Sequence, residues 1–280
     1  EIAHDVTLQP IKRFGFDAAI LYSDILIISE LFNLHFDFIE KKGPVLTENH
    51  LSIEDLAVLT SNPYDIHDLN CVFSTIKLLT ASLNNDSTAL IGFSGSPFTV
   101  ACYLIEKGSF KDFNSTCKLI KSNSKNFHKI LNHLTKATID YLNQQVLAGV
   151  DAIQIFDTWG GLLHQTDYDE YSFPYIKEIV HQLKQHNIPI IIYTKNTEKL
   201  LNRFSLLPVH VISIDWTTSI IDCKTKFPKF CFQGNLNPNI LLDSMDQALA
   251  ETKIICDTMQ EQPGFIFNLG HGILPKTPIQ

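Results

Sequence analysis

Short apolar runs recur along this chain, each closed by a cluster of Gly, Asp, Thr, Asn or His and followed by helix or loop. They lie near residues 18, 90, 153, 190, 211, 231 and 266. Runs of Ala, Ile, Leu and Phe this short read as strands buried on both faces, the pattern of a parallel sheet. Strands that alternate with helices give an α/β class. Helical spacing covers 65–83, 99–107, 114–148, 168–186, 198–204 and 241–259, and Ser52 caps a further helix. The polar triplet at 84–86 stops the first of these, and residues 36–45 read as irregular.

Two architectures use such units. A doubly wound open sheet usually shows a Gly-rich phosphate fingerprint after its first strand, and none occurs here. Strand ends that gather Asp, Thr, Lys, Asn and His instead match a (β/α)8 TIM barrel, whose site is built on that face. At 280 residues the chain reads as a single barrel domain, 1–280, with about seven of the eight strands present. It opens close to its first strand and stops just after its last, so truncation at both ends is expected.

Net charge is −8, from 22 basic and 30 acidic residues, which offers nothing global to nucleic acid or to an acidic membrane surface. No apolar run approaches a bilayer span. Six cysteines without a CxxC pair suggest reduced thiols in a cytoplasmic protein.

Chemistry points first to FDAAILYSDILII, residues 16–28. A lone carboxylate, Asp24, sits there among apolar side chains. Such a group loses solvation and is neutral, paired or held for a cationic ligand, unless it simply caps the next turn. His271 lies between two glycines after a strand, Tyr103 lies on the helix after SGSPFT, and Thr158 and Lys195 follow strand ends. Taken singly, each reads as a turn, core or surface residue. In a barrel they converge on one mouth. GFSGS at 92–96 misses the hydrolase elbow by its last residue, and no P-loop, HExxH or Cys-His cluster occurs, so no metal is expected.

The blocks FGFDAAILYSDIL, IGFSGSPFTVACYLIEKG, AGVDAIQIFDTWGGLL, ISIDWT, FQGNLNP and FIFNLGHGILPKTP, in this order and spacing, resemble the uroporphyrinogen decarboxylase family over nearly the whole chain. The resemblance implies a homodimeric (β/α)8 barrel without metal or organic cofactor. The implied reaction removes carboxyl groups from the four acetate side chains of uroporphyrinogen III, giving coproporphyrinogen III and carbon dioxide. It makes Asp24 the central carboxylate that accepts pyrrole N–H groups. It adds Tyr103, Thr158 and His271 as substrate-contacting positions, with Asp24, Tyr103 and His271 catalytic, and Phe93 as an apolar wall.

One block of the family, an Arg-bearing GRY-type segment that binds substrate carboxylates, has no counterpart here. The only arginines are Arg13 and Arg203. Impaired activity is therefore expected. Two rival readings follow: a non-catalytic porphyrinogen-binding remnant, and a cobalamin-linked methyltransferase of the same superfamily.

Overall fold

The structure, a computed structural model, describes residues 1–40, 42–48, 50–83, 87–108 and 112–279. Its strands are β1 (Ala18–Ile20), β2 (Phe36–Ile39), β3 (Gly43–Leu46), β4 (Ala89–Gly95), β5 (Ala152–Asp157), β6 (Ile190–Thr194), β7 (Val211–Ser213), β8 (Cys231–Leu236) and β9 (Phe265–Leu269). The helices are α1 (Ile2–Phe14), α2 (Ile53–Leu59), α3 (Asn70–Leu83), α4 (Pro97–Glu106), α5 (Asn114–Ser122) and α6 (Ser124–Ala148). They continue as α7 (Gln165–Tyr171), α8 (Phe173–Leu183), α9 (Leu201–Phe204), α10 (Ile220–Lys226), α11 (Ile240–Asp243) and α12 (Met245–Met259).

Seven strands form one sheet in the order β1-β4-β5-β6-β7-β8-β9, and every adjacent pair is parallel. Spatial order follows chain order without reversal. A doubly wound sheet must reverse at a switch point, so this winding is the barrel kind. The sheet is also curled. The Gln233 amide on β8 donates to the Gln154 side chain on β5 at 3.4 Å, and the Tyr193 hydroxyl at the end of β6 donates to Gly270 O beyond β9 at 3.3 Å. Each bond joins elements three strands apart in the sheet, which a flat sheet would hold far beyond contact. Among the described residues β1 pairs only with β4, and β9 only with β8.

The strands bury branched residues on both faces, as parallel sheets require. Ile153, Ile155, Ile192 and Ile212 are fully buried. The long helix α6 packs its buried stripe, including Ile130, Leu134, Ala137, Tyr141 and Gln145, behind β4 and under α8. Gln145 accepts from Phe93 N–H at 2.9 Å and donates to Phe93 C=O at 2.8 Å, so a helix side chain pins the strand that carries Phe93.

Four local expectations need correction. β1 is not buried on both faces, since Ile20 is 49% exposed. The stretch 36–45 is not irregular throughout: β2 and β3 pair antiparallel there, Phe36 against Leu46. The stretch 114–148 is two helices, broken at Asn123, whose backbone (φ −144°, ψ 47°) is not helical. Helix 168–186 is likewise interrupted at Ser172. Helix α1 escaped the sequence reading because Pro10 lies inside it. The stop at 84–86 lies outside the described residues.

Lys224 on α10 is almost fully buried, and its Nζ donates to three carbonyls: Pro228 O (3.0 Å), Phe230 O (2.9 Å) and Pro263 O (2.8 Å). One ammonium thereby ties the turn before β8 to the turn before β9. Lys224→Met keeps the aliphatic stem and strands the carbonyls. We expect it to cost about 2 kcal/mol, since a buried acceptor left unmade costs about 1–3 kcal/mol. Tm should fall by roughly 4–8 °C in a thermal melt. An unchanged Tm would show that water replaces the clamp.

Candidate active site

The C-terminal ends of the strands form the mouth. At its β1 side a cleft of about 230 Å³ is lined by Ile20, Ser23, Asp24, Ile25, Phe93, Phe156 and Thr158. Asp24, Phe93 and Thr158, three of the residues singled out from sequence, therefore share one cleft, fed by β1, β4 and β5. Drug-sized pockets run to about 300–1,000 Å³, so this cleft takes only part of a large ligand.

Asp24 is half-buried, and its Oδ1 accepts the Leu26 N–H at 2.7 Å. The turn-capping role considered from sequence is thus real and leaves Oδ2 without a bond among the described residues. Burial pushes the Asp24 carboxyl above its ordinary value, and the Leu26 bond offsets part of the rise. Ile20, Ile25, Phe93 and Phe156 supply the apolar walls that exclude water.

Tyr103 sits on α4, whose start is fixed by the Ser96 cap on Thr99 N–H. Tyr103 does not line the cleft but packs edge-on against Trp159 at 6.4 Å. Burial pushes its phenol up, a bond from Trp159 offsets part, and the negative charge of Asp24 adds to the rise.

His271 lies on the far side of the mouth and does not line the cleft either. A row of rings joins the two sides: Phe93–Phe156 (5.7 Å), Phe156–Tyr193 (5.9 Å), Tyr193–His271 (6.3 Å) and His271–Trp216 (6.0 Å). Partial burial and the nearby Lys195 charge hold the His271 imidazole below its usual pKa, against smaller opposing effects of the Gly272 backbone and Asp215. Of its flanking glycines only Gly270 is sterically required: a Cβ there would come within 2.4 Å of Trp216 N, whereas Gly272 faces open space.

Sequence reasoning missed the support beneath these groups. Asp157, at the end of β5, is fully buried. Its carboxylate accepts from Ser96 Oγ (2.5 Å) and Ser172 Oγ (2.9 Å), and its carbonyl accepts from Thr194 Oγ1 (3.0 Å). It thus joins the start of α4, the start of α8 and the end of β6. Burial pushes its carboxyl up to about 6 despite those donors. The signal was in the sequence: an acid closing an apolar strand before TWGG has nowhere to go but inward. Gly161 lets this turn meet the next one, since a Cβ there would overlap Lys195 O.

Both arginines are committed elsewhere. Arg203 forms a two-pronged ion pair with Asp169, and the Arg13 guanidinium stacks 5.4 Å from the Phe14 ring centre.

Comparison with known proteins supplies the context. The uroporphyrinogen decarboxylase (URO-D) family model matches residues 1–280. A uroporphyrinogen decarboxylase from Thermodesulfovibrio yellowstonii is 41% identical over 279 residues, covering 100% of this chain and 80% of the relative. Those from Vesicomyosocius okutanii (40% over 278 residues, 98% of this chain and 79% of the relative) and Legionella pneumophila strain Paris (38% over 281 residues, 99% and 79%) are also similar. Among solved structures, a methyltransferase from Methanosarcina mazei superposes with a TM-score of 0.80 over 99% of this chain and 81% of that one. At 20% identity this likeness speaks only to the fold. Full-length coverage at about two-fifths identity places the chain in the uroporphyrinogen decarboxylase family.

Proposed function

We propose that this chain removes the acetate carboxyl groups of uroporphyrinogen III, releasing carbon dioxide and giving coproporphyrinogen III. The observation that carries the reading is Asp24: a carboxylate with one oxygen free, set in an apolar cleft at the strand ends of a chain of this family.

An arylacetate loses carbon dioxide only if the electrons of the breaking C–C bond have somewhere to go. Protonation of the pyrrole provides the sink. The bond electrons then move toward the cationic ring, carbon dioxide leaves, and the methylene carbon takes a proton to become methyl while the ring releases the proton it had gained. Each step consumes one proton and replaces a carboxylate by hydrogen. Asp24 accepts the ring N–H groups and stabilises the cation as it forms. Its apolar walls strengthen that attraction by lowering the local dielectric. Phe93 forms one wall, Thr158 offers a hydroxyl, and Tyr103 and His271 contact the periphery from either side of the mouth.

We read the seven strands as members of a (β/α)8 barrel spanning 1–280. Sequential order and the Gln154–Gln233 bond support this, and closure would give β1 and β9 one neighbour each at their open edges. A homodimer is the family's implication; exposed Met245 and Leu249, one helical turn apart on α12, offer apolar surface for it. Six free thiols fit a reducing cytoplasm, and no helix among the described residues is long and apolar enough to cross a membrane.

The test is anaerobic incubation with uroporphyrinogen III, followed by oxidation and chromatography of the porphyrins by carboxyl number. Stepwise loss of carboxyls with equimolar carbon dioxide is expected. Retention of every carboxyl, with the substrate bound, would overturn decarboxylation in favour of a binding remnant.

A further inference from the structure

Lys195 is the charged group at the mouth that nothing so far has used. It follows Thr194 at the end of β6 and is half-buried. Its Nζ stands 4.3 Å from the centre of the Trp159 ring, within cation–π range. Trp159 in turn packs on Tyr103, so the ammonium is held in place rather than left on a mobile stem.

No carboxylate among the described residues makes an ion pair with Lys195. Asp215, the acid whose field reaches it, is already saturated. Asp215 Oδ2 accepts Asn196 N–H at 2.6 Å, and Oδ1 accepts Thr217 N–H (3.1 Å), Thr217 Oγ1 (2.7 Å) and Thr218 Oγ1 (3.0 Å). A half-buried ammonium without an anion has lost water and gained only a ring face. Such a group gains from an arriving carboxylate, because part of its own desolvation has already been met by the fold.

We propose that Lys195 receives one carboxylate of the tetrapyrrole substrate, on the His271 side of the mouth. The proposal rests on the decarboxylase reading for the identity of that ligand. Two charges of opposite sign then divide the recognition. Asp24 takes the N–H groups at the centre of the macrocycle, and Lys195, at the end of β6 over the Trp159 ring, takes a side chain at its rim. Lys195 also does locally what neither Arg13 nor Arg203 is placed to do.

The experiment compares the parent chain with Lys195→Met and Lys195→Arg in steady-state kinetics with uroporphyrinogen III. Losing one charge-assisted bond should raise KM about tenfold in Lys195→Met while kcat falls less than about threefold. Lys195→Arg should recover most of the affinity, and added salt should narrow the gap between parent and Met variant. The His271 ionisation in the pH profile should move up in Lys195→Met, because a neighbouring cation has gone. A merely structural lysine would move none of these together. Unchanged KM in Lys195→Met, or a collapsed kcat at unchanged KM, would overturn the proposal.

A second readout separates this idea from the reading beneath it. Binding of uroporphyrin, the oxidised polycarboxylate, is followed by quenching of Trp159 and Trp216, the two tryptophans of the chain. If the parent binds uroporphyrin but releases no carbon dioxide, decarboxylation fails and Kd still judges Lys195. Weaker binding in Lys195→Met then supports the carboxylate contact, and equal Kd values refute it. Absence of uroporphyrin binding by the parent, together with no turnover and no KM change to read with uroporphyrinogen III, would refute both.

Discussion

Asp24→Asn should lower kcat/KM for uroporphyrinogen decarboxylation by about 10² to 10³-fold, the usual loss when one preorganised electrostatic contact is removed, about 3–4 kcal/mol. Asparagine keeps the shape of the side chain, and its carbonyl oxygen still accepts Leu26 N–H, so the turn survives. The charge is gone, and an amide N–H can face the pyrrole N–H groups without attraction. Stability should hold or rise, because burial already disfavours the charged carboxylate at this position. The combination distinguishes chemistry from folding: a collapse in rate at unchanged Tm. The parent should also lose activity on the acid side, at a pH above the ordinary aspartate value of 3.8, as protonation removes the same charge, and Asp24→Asn should lack that limb. A loss of less than threefold in kcat/KM would remove Asp24 from the mechanism.

Asp157→Ala should give the largest loss of stability, about 3 kcal/mol, because it leaves two buried hydroxyls without their acceptor and opens a small void. Activity should fall with it, since Ser96 starts the helix that carries Tyr103. The pH dependence has a definite sign. The folded carboxyl titrates at about 6, against an ordinary value of 3.8. A raised pKa means that the folded state holds the proton more tightly. The stabilisation is therefore complete below about pH 4 and is lost as pH rises through about 6. The gap in Tm between parent and Asp157→Ala should accordingly be wider at pH 5 than at pH 8. A gap that widens toward alkaline pH would show that the ionised form is the stabilising one.

How legible this was from sequence depended on range. All seven sheet strands could be read because each is a local apolar run, such as Ala-Ile-Gln-Ile-Phe at 152–156, and parallel strands need no partner to reveal their period. The β2–β3 pairing was hidden by the Gly-Pro that opens β3 and by a mostly solvated β2, and α1 by Pro10. Asp24 and Thr158 were readable as strand-end residues, Phe93 came only through the family resemblance, and the three share the cleft. What no local pattern reveals is a meeting between distant segments. Lys195 lies 36 positions from the Trp159 ring it covers, and the fate of Asp157 depends on Ser96 and Ser172, which flank it far along the chain. His271 was expected at the same mouth as Asp24, and a row of aromatic rings runs between their two sides of it.

The uninterrupted β1-to-β9 succession has a bearing on how the polypeptide acquires its shape at the ribosome. Apart from the β2–β3 pair, each strand after β1 finds its docking edge already made by the sheet strand before it. Assembly can therefore proceed vectorially through these seven strands, each pairing as it emerges. The polar plug of Gln154 and Gln233 must wait until β8 swings round to face β5, and the Tyr193–Gly270 bond until the chain passes β9.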